Sequence, residues 1–355
     1  MTHGLFACAA FALLAINAQP QPATVEAVQL AWNLEAGASY HIEMEVSAET
    51  ETTSNGEVKA ESQVLESQYR LFVEEVTEEG NMLLTITMDK YRMTQESAML
   101  EVELEAMRDE DGEVIVSSTI ESSIPELMTS EMEELFNTIG RNNLEMVFTF
   151  LLTPTGHVLE SSLQGDPMGN LPTPTEITQM VALTASSMID VENLPAALAC
   201  GIFIQLPTDE LEEGGEWESS VEFIVVGMEM DGTGACTIEG IEQDESTQSA
   251  DINIQMDYSV GVDNLIEITI DMMENMFESM GVEMAVEVDM SGEDISVEME
   301  AKFDVTDGVL QSMKFTDMVT VVEGTITVGE NDIDLLVESS SSSHADWSRI
   351  EDDGE

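Results

Sequence analysis

Apolar and polar residues alternate along most of this chain. In residues 40–46 Tyr40, Ile42, Met44 and Val46 are separated by His41, Glu43 and Glu45, the two-residue period of a strand with one wet face. The same period, after an opening strand at 28–34, marks 64–76, 82–93, 100–106 and 114–116. The breaks fall at Ser54-Asn55-Gly56, Glu78-Glu79-Gly80-Asn81 and Asp109-Glu110-Asp111-Gly112, so the pattern predicts an antiparallel meander. A helix then interrupts it over 125–139. Met128, Met132, Leu135, Phe136 and Ile139 share one side, and Gly140 is placed to end it as a left-handed C-terminal residue. A second helix starts at Thr173 as N-cap, with Pro174 in the first position and Glu176 completing a capping box. Ile177, Met180, Val181, Thr184 and Met188 form its stripe.

Beyond residue 198 strands return at 200–207, from Trp217 through 220–230, at 235–241 and at 250–258. Asp231-Gly232-Thr233-Gly234 and residues 243–247 serve as turns. Residues 265–280 begin with a strand period and turn helical near Asp271, with Ile270, Met273, Phe277 and Met280 on one side and Gly281 as the stop. Strands follow at 284–290, 295–305, 309–318, 319–328 and 333–337. Residues 339–355 are Ser-rich, then acidic, and read as a disordered tail in which Trp347 is exposed.

One hairpin is echoed. In 148–163 an apolar strand meets a Pro-Thr-Gly turn and leaves it as His157-Val158-Leu159; in 303–315 Phe303, Thr306, Gly308 and Val309-Leu310 repeat the outline. The two hairpins read as equivalent closing elements of two β-rich halves. The expected fold is α+β, mainly β, with curved antiparallel meanders of half-barrel type and amphipathic helices on the concave face. Its parts are a signal at 1–18, an extended segment at 19–27, a first half at 28–165, a helical connector at 166–197, a second half at 198–338 and the tail.

Address and charge narrow the role. Residues 5–16 form an apolar run too short to span a bilayer, and Ala18 is a small residue suited to cleavage, so the protein is expected to be exported to the periplasm, cell surface or medium. Leu5-Phe6-Ala7-Cys8 has the outline of a lipoprotein processing site, but the apolar run continues past Cys8, which favours ordinary cleavage. No later stretch reads as a transmembrane segment. The chain carries 73 Asp plus Glu against 9 Lys plus Arg, a formal net charge of -64. Such a surface repels nucleic acid and anionic lipid, and its acids are screened diffusely by mobile cations. Cys200 and Cys236 remain after export, as a disulfide or as two buried thiols; no cysteine–histidine cluster points to zinc.

Candidate chemistry is sparse. His41, His157 and His344 stand without a second ligand or a nucleophile elbow. The Asp109–Gly112 and Asp231–Gly234 runs lack the alternating acids and closing Glu of a calcium loop. No catalytic residue, metal or cofactor is indicated. The 25 methionines gather on apolar faces, either as ordinary core filling or as the lining of an adaptable apolar cleft. For the second reading the lining residues are Met128, Met132, Phe136, Met180, Met188, Met273 and Phe277.

The opening Trp32-Asn33-Leu34-Glu35-Ala36-Gly37-Ala38-Ser39-Tyr40, the hairpin Thr153-Pro154-Thr155-Gly156, Leu206-Pro207 before Gly214-Gly215-Glu216-Trp217, and Asp307-Gly308-Val309-Leu310 together resemble a family of exported bacterial proteins, often lipoproteins, without an assigned activity. That family is similar in architecture to the periplasmic lipoprotein carriers. The resemblance, over about residues 28–338, implies fold and export and transfers no catalytic residue. Two functions remain open: a non-catalytic protein holding an apolar ligand, lipid or lipidated partner, and an acidic envelope protein binding cations or basic partners.

Overall fold

The computed structural model describes residues 27–98, 100–109, 112–122, 129–166, 169, 194–225, 228–244, 246–263, 266–267, 270, 273–274, 286–328 and 331–350. The alternating pattern becomes one curved antiparallel sheet. The first meander is β1 (Ser39–Ser54), β2 (Glu57–Val76), β3 (Met82–Ser97), β4 (Leu100–Arg108) and β5 (Val114–Ser122). Helix α1 (Thr129–Glu145) and the hairpin β6 (Val147–Leu152) and β7 (Val158–Gln164) follow, then α2 (Leu194–Ile202). The second meander is β8 (Glu216–Val225), β9 (Met228–Gln243), β10 (Gln248–Gly261), β11 (Val286–Gly292), β12 (Ile295–Asp304), β13 (Val309–Val328) and β14 (Asn331–Arg349).

The strand order is β5-β4-β3-β2-β1-β14-β13-β12-β10-β9-β8, so the first and last strands meet at the centre of the sheet. Two long strands split their outer edge between two partners. β3 pairs with β6 near its start and with β4 near its end, and β13 pairs with β12 and then with β11.

The register follows the alternation across the whole width. Glu216, Thr237, Asn253, Glu300, Lys314, His344, Glu45, Glu66, Arg92, Glu105 and Ser117 stand in one row over eleven strands. Each is followed or preceded in its own strand by a member of the row on the other face: Trp217, Cys236, Ile254, Met299, Phe315, Ser343, Val46, Leu65, Met93, Leu104 and Ser118. One face is polar and the other apolar because the side-chain period of a strand is two.

On the apolar face residues 28–34 tie the sheet together. Val28 bridges Leu211, Trp32 N donates to Pro154 O at 2.8 Å and Asn33 N donates to Gly308 O at 3.0 Å. The turns of the two echoed hairpins therefore dock side by side on one segment. Both need glycine. A Cβ on Gly156 (φ +80) would lie 2.1 Å from Ile204 O, and one on Gly308 (φ +65) would lie 2.5 Å from Asn33 Cβ. The Gly308 turn is also set by Asp304, whose Oδ1 accepts from Thr306 N and Asp307 N at 2.9 and 3.0 Å. Around Trp32 gather Phe203, Phe303 and Trp347, each with a ring centroid 5.5–6.0 Å from another ring of the group, and Tyr40 and Phe150 extend the cluster.

Several expectations are corrected. The run 339–349 is not a disordered tail: it is the second half of β14, paired with β1 on one side and β13 on the other, and Trp347 is 8% exposed. Its serines hold main-chain ladders as any residue does, with Ser47 and Ser342 hydroxyls bonded at 2.8 Å. Residues 309–328 form one strand rather than two. Asp231–Gly234 is no turn but the middle of β9. Glycine is required there because a Cβ at 232 would meet the Tyr258 ring at 2.5 Å and one at 234 would meet Gln255 O at 2.0 Å. Gly140 does not end α1. It lets the helix approach Leu104, Val116 and Ala106, and the helix runs on to Glu145, where Arg108 Nη2 donates to Leu144 O. Cys200–Ile202 closes α2 instead of opening a strand. The helix expected from Thr173 and most of 265–280 lie outside the described residues; where 265–270 is described, at 266–267 and 270, it is helical rather than the expected strand, with Ile266 N donating to Val262 O at 2.9 Å.

Candidate functional site

His41 Nε2 and Glu43 Oε1 lie 3.3 Å apart, and His344 Nε2 and Asp346 Oδ2 lie 2.8 Å apart, both on exposed strand positions. His157 is exposed after its turn and is fixed through its backbone N, which donates to Thr153 Oγ1 at 3.0 Å. Among the described residues no group of three or more His, Cys, Asp or Glu is arranged to hold a metal ion. At the 109–112 turn the Asp109 carboxylate is already occupied, with Oδ1 accepting from Glu113 N at 2.9 Å. Cys200 and Cys236 are free thiols. Burial pushes them up to about 11 and about 12, so neither is a thiolate at neutral pH.

The apolar face is graded. At the flanks of its long row Cys236 and Ile254 on one side, and Met93 and Leu104 on the other, are buried. Between them Met299, Phe315, Ser343, Val46 and Leu65 are only half-buried, on five adjacent strands, β12, β13, β14, β1 and β2. Met44 and Met318 flank the same strip and are half-buried too. The result is a shallow apolar strip bordered on its core side by Met313, Ala345 and Ser67, with a single hydroxyl, Ser343, in the middle of the row.

Of the residues expected to line a cleft, Met132 is buried at 2% exposure among Met93, Val102, Leu104 and Ile120. Phe136 and Leu65 pack against that group, so this cluster borders the strip at β2 and β3. Met273 is half-buried. Met128, Met180, Met188 and Phe277 lie outside the described residues. The strip itself, above all Val46, Leu65, Met299 and Phe315, was not singled out from the sequence, although each sits at an apolar position of an alternating strand. What the sequence does not carry is the register that brings five strands' residues into line. Among the described residues no helix is long and apolar enough to cross a membrane, which says nothing about strands.

No family model matches the sequence, and no curated protein does. Among solved structures the chain aligns with an outer-membrane channel from Pseudomonas putida F1 at 9% identity and a TM-score of 0.19, over 90% of this chain and 99% of that one. It aligns with Pseudomonas aeruginosa OpdK, solved with vanillate, at 6% identity and a TM-score of 0.19 over 86% and 98%. The translocator domain of the autotransporter NalP from Neisseria meningitidis aligns at 5% identity and 0.18 over 88% and 89%. Similarity this slight carries no argument about fold or function.

Proposed function

We propose that this is an exported, non-catalytic binding protein that holds an apolar ligand or a lipidated partner against the apolar face of its curved sheet. The observation behind the reading is the dip in burial along the eleven-strand apolar row, where Met299, Phe315, Val46 and Leu65 are half-buried between fully buried flanks. A contiguous apolar strip of this kind is the usual mark of a ligand or partner surface. Methionines at 44, 299 and 318 give it an adaptable lining.

In this reading the sheet is built of two related halves, an idea favoured by the split edges of β3 and β13 and by the paired docking of the 153–156 and 304–308 turns on residues 31–33. The amphipathic helices would then lie over the concave side, as in the lipoprotein carriers, with Met128, Phe136, Met180, Met188, Met273 and Phe277 closing the cleft and Met132 held in the packed cluster that borders it. The acidic exterior is screened diffusely by cations.

The test is native mass spectrometry and solvent extraction of protein purified from its host, followed by titration with a fluorescent fatty acid. A stoichiometric extractable ligand, and saturable dye binding weakened by Phe315→Arg, are expected. Protein that is empty and does not bind the dye would reject the reading. Saturable calcium binding that survives added salt would turn it toward the acidic-interaction role instead.

A further inference from the structure

An exposed sheet edge presents unpaired N–H and C=O groups that recruit another strand. Among the described residues β8 is such an edge, paired only with β9; α2 packs against part of it, as α1 packs beside the opposite edge at β5, with Ser118 Oγ donating to Glu133 O at 3.3 Å. On β8 the open row is interrupted at Ser220. Gln205 Nε2 donates to Ser220 O at 2.6 Å, and Ser220 N donates to Gln205 Oε1 at 3.3 Å. One side-chain amide thus satisfies both main-chain groups of one residue, the pairing a neighbouring strand would make.

The amide is firmly placed. Gln205 O accepts from Trp217 Nε1 at 2.9 Å and its Oε1 also receives Ser219 Oγ at 3.4 Å. Its neighbours are anchored as well: Ile204 O accepts from Trp32 Nε1 at 3.0 Å, and Leu206 N donates to Thr155 O at 2.9 Å.

We propose that Gln205 is an edge guard, and that the strand it excludes is β8 of a second copy of this chain. Two-fold antiparallel pairing of β8 about Ser220 sets Glu218 of one copy opposite Glu222 of the other, and both are exposed. Like charges directly opposite destabilise a strand pair. That repulsion is a second guard, but it fails in salt, because screening shortens from about 10 Å at 0.1 M to about 3 Å at 1 M. The amide works at any ionic strength. Association is therefore held off by two devices, and only one of them survives salt.

The experiment compares the full wild-type chain with Gln205→Ala, Gln205→Met and the double variant Gln205→Ala with Ser220→Pro. Mass is measured by sedimentation velocity at about 0.1 M and about 1 M sodium chloride. Wild type should keep one mass, and both single variants should at least double theirs in the higher salt only. The double variant should return to the wild-type mass, since the Ser220 N–H points away from β9 and proline there removes no ladder bond. Hydrogen exchange at the Ser220 amide should quicken about tenfold in Gln205→Met at low salt. The proposal is overturned if that amide quickens while the mass stays constant in high salt, if its exchange does not change, or if Ser220→Pro leaves the association intact. The methionine variant retains bulk, so a folding failure of the alanine variant does not decide the matter.

Discussion

Trp32 and Trp347 provide the sharpest check on how the core is built. Their ring centroids lie 5.5 Å apart, and they are 1% and 8% exposed. Truncating either to alanine should cost about 3–5 kcal/mol, a large share of a typical stability of about 5–15 kcal/mol. Replacement by phenylalanine separates them. Each variant loses similar ring volume, but the two indole N–H groups differ. Trp32 Nε1 donates to the buried Ile204 carbonyl at 3.0 Å, whereas Trp347 Nε1 is buried with no hydrogen-bond partner among the described residues. Trp32→Phe therefore strands a carbonyl, while Trp347→Phe removes a stranded donor, and each such group costs about 1–3 kcal/mol. The expected result is that Trp32→Phe is less stable than Trp347→Phe by at least about 2 kcal/mol. Urea unfolding followed by far-ultraviolet circular dichroism at fixed salt measures this, since guanidinium would itself screen the charge. Equal costs, or the reverse order, would refute the hydrogen-bond argument. A silent Trp347→Ala would refute the docking of β14.

Three further outcomes are expected. Gly156→Ala should fail far more severely than Gly37→Ala in thermal melts: both carry positive φ, but a Cβ meets Ile204 O at 2.1 Å at the first site and nothing within 4 Å at the second. Ser341→Pro should lower urea-determined stability by about 1–3 kcal/mol, because β14 is paired on both sides and proline there disrupts its ladder, whereas the substitution would be harmless in a free tail. Stability should also fall in alkali. Burial raises Cys200 to about 11 and Cys236, Tyr91 and Tyr258 to about 12, from ordinary values of 9.0 and 10.0. The folded state thus holds protons that the unfolded chain releases. The contribution is complete below pH 9.0 and is lost as pH rises toward about 12; urea midpoints that stay flat across this window would contradict it.

Alternation along single strands was the readable part of the fold. It located β1, β6 and β12 and the two echoed hairpins, and the Asn55-Gly56 turn took positive φ at both residues, as a tight hairpin requires. It failed where composition spoke louder than period. In 343–348 Ser343, Ala345 and Trp347 do alternate with His344, Asp346 and Ser348, yet the serine run reads as a solvated tail until β1 and β13 are known to flank it. Glycine misled in the opposite sense. Gly140, Gly232 and Gly234 look like stops and turns from the sequence, but each sits inside an element because another group occupies the space of its Cβ. Close approach is a property of the partner, and one strand's sequence does not contain its partner. The apolar strip was hidden for the same reason: Val46, Leu65, Met299 and Phe315 are up to 269 positions apart in the chain and become neighbours only through the β1–β14 seam.

That seam also explains how so acidic a chain tolerates a broad sheet. With 9 cations against 73 acids, pairing by number is hopeless, so placement decides what pairing achieves. Arg70, Lys90, Arg92, Lys302 and Lys314, five of the nine, stand on the polar face of the sheet, where strand spacing forces side chains together. Glu45 and Glu66 face each other directly across β1 and β2, an arrangement that is unfavourable alone. Arg92, next in the row, reaches Glu66 at 3.7 Å and Glu103 at 3.0 Å, and on the far side His344 and Lys314 follow Glu45. At the next level Lys302 lies 2.9 Å from Glu242 and 3.8 Å from Asp251. These pairs are exposed, and each contributes little by itself. Their role is to break up runs of like charge at fixed cross-strand distances, where mobile ions would otherwise have to be held in register. At tips and turns the acids can spread apart, so solvent and mobile cations suffice there. A sheet with the same composition but its cations moved to the turns would have the same net charge and more like charges directly opposite one another on its polar face.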